Sequence, residues 1–368
     1  MTLAGVDADT RRILDEYGFD EAAFEALRRR VADGRLSPES NVVRGRVEPP
    51  RDGDVTPLPA PGDPLYDEAR TRGLAALGRG EVAQVILAGG MATRFGGVVK
   101  AILDVVDGLS FLEAKLRQTR DLERALGASV PVALMTSFAT DAAIRAHVAE
   151  RALGEPLVFH QFVSLRLERD GGLFYGADGR PSPYAPGHGD LLEAIRSSGV
   201  LAAFQERGVR VVTVSNVDNL GARVDPVVVG MHLLAGRPLT CEVARKEGDM
   251  GGAPVRVDGR LRIVEGLCFP PEFDHDLVPV FNTNTALFDV AALDREYDLT
   301  WLYVEKEVEG RVAVQLERLY HEVSAWLPTT YLEVPRRGPR GRFLPIKTPD
   351  DLERARDDLR ELLSASPI

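Results

Sequence analysis

Cysteine is scarce in this chain of 368 residues, with Cys241 and Cys268 the only two. Two thiols cannot build a disulfide framework, and without a CxxC pair they offer no zinc knuckle. Histidine is sparse too: six residues, at 147, 160, 188, 232, 275 and 321, none spaced as HxxxH or HExxH. No apolar run approaches the ~20 residues a membrane span needs. The first residues, MTLAGVDADTRR, lack the basic-then-apolar order of a signal peptide, so the expected location is cytoplasmic. Positive charge is in deficit as well, with 45 Lys and Arg against 56 Asp and Glu, a net charge of −11. That balance argues against a nucleic-acid coat or an anionic membrane as partner.

What the chain does have is a core-forming composition, 44% hydrophobic and 27% charged, on a length suited to one large α/β domain with appendages. Its 35 glycines and 24 prolines exceed the usual share and point to loops with tasks. Residues 9–33 carry apolar residues at helical spacing, from Ile13 and Leu14 to Val31, ending near Gly34. Residues 46–64 hold six prolines and read as an extended connector, neither a helix nor a central strand. After a short helical stretch, VAQVILA at 82–88 has the continuous apolar, β-branched character of a strand buried on both faces. Strand-like and helix-like runs then alternate: helix 110–126 opened by a Ser110/Glu113 capping box, strand 131–137, helix 140–152, strand 157–161, helix 190–207, strand 209–216. From 239 the strand runs LTCEVAR, APVRV and RLRIVEG are closer together and suggest a meander or antiparallel edge. Thr348, Pro349 and two early aspartates open a closing helix at about 349–363. The expected fold is α/β, a mixed, mainly parallel sheet flanked by helices. Its expected divisions are an N-terminal helical segment and connector (1–80), a catalytic domain (81–330) and a C-terminal segment with a basic loop and closing helix (331–368).

The first buried strand runs into Gly89-Gly90-Met91-Ala92-Thr93-Arg94-Phe95-Gly96-Gly97-Val98-Val99-Lys100. A glycine loop at the carboxyl end of a parallel strand is where α/β folds place a nucleotide. Glycines let backbone N–H groups approach phosphate, and Arg94 and Lys100 add charge-assisted contacts. Neither GxxxxGK[ST] nor GxGxxG is present, which excludes a Walker A loop and the dinucleotide fingerprint.

The spacing GG-x5-GG-x2-K resembles the nucleotide-binding loop of the UDP-glucose pyrophosphorylase family of UTP–sugar-1-phosphate uridylyltransferases. The resemblance continues in family order at Phe159-His160-Gln161, Pro186 to Asp190, Val214 to Gly221, Gly251-Gly252, Val264-Glu265, Phe281 to Asn284 and Phe343 to Lys347. These blocks span three quarters of the chain. The resemblance implies a nucleotidyltransferase type A, Rossmann-like fold with an antiparallel sugar-binding portion. Nucleotide contacts are implied for Leu87, Ala88, Gly89, Gly90, Gln161, Gly187 and Asp218, and sugar-phosphate contacts for His188, Asn216, Gly252, Glu265, Asn282 and Asn284. Arg94, Lys100 and Lys347 are the implied catalytic cations, and Asp218 the ligand of Mg²⁺.

Each block also has a reading from its own chemistry. Asp218 follows a buried strand, where a carboxylate can hold Mg²⁺ against phosphate oxygens or simply cap a turn. Gln161 offers the donor and acceptor that reading a uracil edge requires, or is a polar residue at a strand end. His188 sits between glycines and can donate to a sugar hydroxyl or phosphate, while Asp190 is placed to cap the next helix. Asn282 and Asn284 alternate on a strand and so share one face. Residues 334–347 hold four arginines, one lysine and no acid; alternatives to phosphate binding are a solvated charge run or a nucleic-acid contact.

One departure concerns the residues before Gly251, where many eukaryotic relatives carry a lysine. Here Asp249 and Met250 stand there, with Lys246 the nearest base. The resemblance also implies the bacterial form, without the C-terminal β-helix through which eukaryotic relatives oligomerise, so a monomer or small homo-oligomer is expected. The implied reaction joins UTP and glucose 1-phosphate into UDP-glucose and pyrophosphate, with a sugar-phosphate oxygen attacking the α-phosphorus. That oxygen is already anionic, so no general base is required. Another sugar 1-phosphate, N-acetylglucosamine or galactose 1-phosphate, and a non-catalytic nucleotide-sugar binder are the competing readings.

Overall fold

Eight strands make the central sheet: β1 (Val55–Pro57), β2 (Val82–Leu87), β3 (Val132–Thr136), β4 (Leu157–His160), β5 (Val211–Asn216), β6 (Leu239–Arg245), β7 (Val280–Asp289) and β8 (Thr329–Glu333). They lie in the order β1-β8-β6-β7-β5-β2-β3-β4 in this computed structural model, which describes residues 6–92, 95–346, 348–366 and 368. Every neighbouring pair is parallel except those made by β7, which runs antiparallel to both β5 and β6. The sheet is thus mixed and mainly parallel, as its alternating strand and helix runs predict.

β2 is buried at all its positions, which is why it reads as an unbroken apolar run. LTCEVAR departs from expectation. It is β6, an interior strand of the parallel set, buried up to its final arginine. The antiparallel meander consists only of Val47–Glu48, Ala253–Val257 and Arg260–Val264. The proline-rich connector supplies both the edge strand of that meander and β1, where Pro57 is tolerated because a sheet edge leaves backbone groups unpaired.

Two expected helices are each broken in two. The run at 9–33 is Ala8–Glu16 and Glu21–Ala32, separated at Gly18 with φ +65°. The run at 190–207 is Leu191–Ser197 and Val200–Glu206, separated by Gly199 at φ +81°. Only glycine enters that region without strain, so the chain turns where the apolar period gives no sign of it. The capping box at Ser110 and Glu113 and the Thr348 cap both form, opening Phe111–Leu126 and Pro349–Ser364. The closing helix buries Ala355, Leu359 and Leu362 in a cluster with Ile86, Phe111 and Ile346.

Helices Pro64–Gly78 and Pro226–Ala235 meet backbone to backbone. A Cβ on Gly73 would lie 1.8 Å from Pro226 O, and one on Gly230 1.7 Å from Ala69 O. No rotamer can relieve a clash with main chain, so these two glycines set the helix separation.

Across the sheet, Arg342 and Glu242 form a buried ion pair. Arg342 Nε lies 3.0 and 2.9 Å from the two carboxylate oxygens of Glu242, and Nη2 lies 2.6 Å from Oε1. Arg342 Nη2 also donates to Arg223 O at 3.0 Å, and its own carbonyl accepts from Asn219 Nδ2 at 3.0 Å. Asn219 Oδ1 in turn accepts from Leu344 N, and Asn219 bridges Pro345. The basic segment is thereby fixed against the loop that follows β5.

Two stability experiments follow from this packing. Gly230→Ala should cost about 3 kcal/mol and lower the melting temperature, whereas Gly78→Ala, with open space around its Cα, should be neutral or stabilise by up to about 1 kcal/mol. Arg342→Met should cost about 3–5 kcal/mol in urea denaturation because it strands a buried carboxylate, and adding Glu242→Leu should recover most of that loss.

Candidate active site

The carboxyl ends of β2 and β5 are adjacent, with Leu87 opposite Asn216 in parallel register. The glycine loop leaves β2 there and Asp218 follows β5. Val217 N donates to Leu87 O at 3.0 Å, and Lys100 N donates to Gly90 O at 3.2 Å. Those two bonds fold the loop back so that Lys100 Nζ forms an ion pair with Asp218 Oδ2, both side chains being mostly buried. Of the three expected catalytic cations, Lys100 is therefore placed at the expected carboxylate, while Arg94 and Lys347 lie outside the described residues. Ile346, next to Lys347 in the chain, is fully buried beside Val217 and Leu220. Just before it in the chain, Pro345 makes an isolated antiparallel bridge with Asn219.

Beneath this pair lies a residue that the sequence reading missed. Lys115 is fully buried and donates to Ser215 Oγ at 3.0 Å and Ala222 O at 2.7 Å. Burial, reinforced by the positive charge of Arg342, pushes its pKa down to about 7. The signal was present: Leu112, Lys115, Thr119 and Leu122 share one helical stripe, so a lysine stands on the buried face.

Gln161 follows β4 directly, its N–H donating to Thr136 O at 2.9 Å. Its amide lies against the glycine loop, for a Cβ on Gly89 would come 2.4 Å from Gln161 Oε1. Ser137 Oγ donates to Gly89 O at 2.9 Å and holds that strand end in place. Phe162 N then donates to Asp190 Oδ2 at 3.0 Å, which brings Gly187 and His188 next to Gln161. Asp190 does not cap the following helix, contrary to expectation. Fully buried, it receives Arg318 Nη2 at 2.7 Å instead. Burial raises its pKa to about 6, with Arg318 opposing. Gly187, at φ +100°, passes so close to Arg318 that a Cβ would lie 2.7 Å from its carbonyl oxygen.

His188 continues the band. Its Nδ1 accepts from Tyr320 N at 3.4 Å, and burial lowers its pKa to about 4, so the ring is neutral at pH 7 with the proton on Nε2. Tyr320 OH donates to Asn284 O at 3.2 Å, and Asn284 Nδ2 donates to Asn216 Oδ1 at 2.8 Å. Asn282 and Asn284 do not sit on one face through simple strand alternation. The pairing of β6 with β7 jumps from Glu242–Thr285 to Val243–Asn282, and Asn284 has φ +58°. A bulge presents Asn284, and asparagine tolerates that left-handed geometry better than most side chains.

Asn282 N donates to Gly252 O at 2.7 Å, and a Cβ on Gly252 would come 2.7 Å from Glu265 Oε1. Burial raises the pKa of Glu265. Its carboxylate lies 3.9 Å from His321 Nδ1, and the His321 ring faces that of His188 with centroids 5.0 Å apart. Tyr320 and His321 therefore close the band, and sequence reasoning named neither for it. The arginines of the basic segment are committed elsewhere: Arg336 to Asp249 at 2.5 Å, Arg337 to Glu247 at 2.6 Å, Arg340 to Pro59 O at 2.7 Å, and Arg342 to Glu242. Lys246, the nearest base to Gly251, donates to His275 O at 2.7 Å.

The family model described as UTP–glucose-1-phosphate uridylyltransferase matches residues 23–365. The UTP–glucose-1-phosphate uridylyltransferase of Solanum tuberosum is 29% identical over 343 residues, covering 86% of this chain and 69% of the potato protein. That of Astragalus penduliflorus is 32% identical over 301 residues, covering 77% of this chain and 63% of its own length. Among solved structures, a UDP-N-acetylglucosamine pyrophosphorylase from Trypanosoma brucei in complex with inhibitor superposes with TM-score 0.76 at 19% identity, covering 95% of this chain and 79% of its own. A UDP-glucose pyrophosphorylase mutant from Leishmania major in complex with UDP-glucose gives TM-score 0.69 at 24% identity, with coverages of 95% and 79%. The match to the family model runs through every element of the band just described, and the chain belongs to the UTP–glucose-1-phosphate uridylyltransferase family.

Proposed function

We propose that this protein transfers a uridylyl group from UTP to glucose 1-phosphate, releasing pyrophosphate and forming UDP-glucose. A sugar-phosphate oxygen attacks the α-phosphorus, the bond from that phosphorus to the α,β-bridging oxygen breaks, and pyrophosphate leaves with that electron pair. The observation that carries this reading is the continuous band from Gln161 and Gly89, through the Lys100–Asp218 pair, to Asn284 and Glu265. It orders an amide able to read a base, a charged centre for phosphates and a polar end for sugar hydroxyls, in the sequence a nucleotide sugar requires. With an anionic nucleophile already in hand, catalysis reduces to positioning and charge neutralisation. In this reading Gln161 and Gly187 take the uracil, Leu87 to Gly90 the nucleotide, and Asn216, Gly252, Glu265, Asn282, Asn284 and His188 the sugar phosphate. Lys100 and Arg94 serve the departing pyrophosphate, and Lys347 the attacking phosphate.

Mg²⁺ fits the donor chemistry at Asp218. Among the described residues no three His, Cys, Asp or Glu side chains converge. Asp218 would supply a hard carboxylate, and phosphate oxygens and water would fill most of the rest of the shell, which is how Mg²⁺ is commonly held. When bound, the ion would neutralise triphosphate charge. A cytoplasmic setting belongs to the same proposal and is supported by two free, buried cysteines. Among the described residues no helix is long and apolar enough to cross a membrane.

Pyrophosphate release should be at least tenfold faster in kcat/KM with UTP than with CTP, ATP or GTP, about 1.4 kcal/mol of discrimination. Gln161→Ala should narrow that ratio, and equal turnover of UTP and ATP by the unaltered protein would overturn the uracil assignment. Asp218→Asn and Lys100→Met should each slow turnover on the order of 10²–10⁴-fold. Both variants should still fold, losing no more than about 1–2 kcal/mol, because each side chain keeps some access to water to solvate the remaining charge. Unfolding of either variant with activity retained in the folded fraction would make the pair structural.

A further inference from the structure

His321 is only 2% exposed, yet neither of its ring nitrogens has a hydrogen-bond partner. A buried polar group left this way costs on the order of 1–3 kcal/mol and calls for a ligand or a bound water. The ring is held firmly: it follows Tyr320, whose hydroxyl reaches Asn284, and it packs edge-on against His188. Burial, with His188 beside it, keeps its pKa well below the usual histidine range, so one nitrogen donates and the other accepts.

Nδ1 stands 3.9 Å from Glu265 Oε1, too far for a direct hydrogen bond. One oxygen atom can sit within hydrogen-bonding distance of both. Both residues line a cavity of about 320 Å³, walled also by Val43, Val264, Cys268 and Leu302. The atom must accept from an imidazole N–H and donate to a carboxylate, which a hydroxyl does. A phosphate or carboxylate oxygen, having no proton to donate, would be repelled by Glu265.

We infer that His321 is a specificity-determining residue that, together with Glu265, grips one hydroxyl of the sugar 1-phosphate. This rests on the reaction proposed above. Sites built to hydrogen-bond a hydroxyl reject the analogue lacking it far more strongly than apolar pockets reject a missing methylene.

The test measures pyrophosphate release from UTP with glucose 1-phosphate and with each of its monodeoxy analogues. The unaltered protein should penalise loss of one particular hydroxyl at least tenfold in kcat/KM. His321→Ala should raise KM for glucose 1-phosphate about tenfold and leave KM for UTP within about twofold. In the variant the penalty for that one deoxy sugar should collapse to near unity, with the penalties at other positions intact. His321→Gln keeps a donor and an acceptor and should retain part of the discrimination; it carries the same comparison if the alanine variant does not fold. Discrimination at every hydroxyl unchanged in both variants would assign the bridging oxygen to a structural water and overturn the inference. Absence of turnover with every sugar 1-phosphate in the unaltered protein would instead refute the reaction on which it rests.

Discussion

The placement of Asp218 in the candidate site depends on one buried ion pair. Arg342 and Glu242 are respectively 2% and 0% exposed, and the cost of desolvating both charges is offset only because the pair is well formed and further bonded. The Arg342 backbone accepts from Asn219 while its guanidinium reaches Arg223 O, so a single residue pins both ends of the loop that carries Asp218. The approach is so close that a Cβ on Gly221 would lie 2.7 Å from the Arg342 carbonyl carbon. Glu242 belongs to β6 and Arg342 to the segment beyond β8, separated by a hundred residues. A long-range buried charge pair is thus what turns two otherwise independent loops into one wall.

The single antiparallel strand has a matching purpose. Parallel strands place their carboxyl ends along one edge, and in α/β sheets ligands collect at that edge. β7 reverses direction and so brings its first residues, Val280 to Asn284, to the edge where β5 ends. The bulge then frees Asn284 from the ladder on the β6 side, leaving its amide to meet Asn216. Strand reversal and bulge together bring a segment 68 residues downstream into contact with the end of β5.

Much of this was legible in the residues. The apolar run into a double-glycine loop marked β2 and the Lys100 turn, and the helix caps at Ser110 and Thr348 formed as their side chains require. Gln161, Gly187, Asp218 and Glu265 could be picked out one by one, but not the contacts that join them. The misses share a cause. Local pattern treats a charged residue as solvated, so Lys115 drew no notice and Arg342 counted only as one more cation of a basic loop. Each is buried by partners about a hundred residues away. LTCEVAR was misplaced because its closeness to the next strand runs suggested a meander, whereas its pairing with β8 and its buried Glu242, the partner of Arg342, set it inside the sheet. His321 carries no local signal, since its meaning lies in what it fails to bond.

The same accounting of partners bears on how a polyanion could enter. Arginines 336, 337, 340 and 342 already meet carboxylates or carbonyls, so the basic segment is not a loose cationic patch awaiting phosphate. At the carboxyl ends of β2 and β5, Lys100 and Asp218 pair with one another. In the proposed reaction a triphosphate brought to this pair would replace the carboxylate by phosphate oxygens as the partner of Lys100, and would leave Asp218 facing like charge. A cation between them would relieve that repulsion. The proposed divalent ion would thus take the place beside Asp218 that Lys100 holds in the free protein.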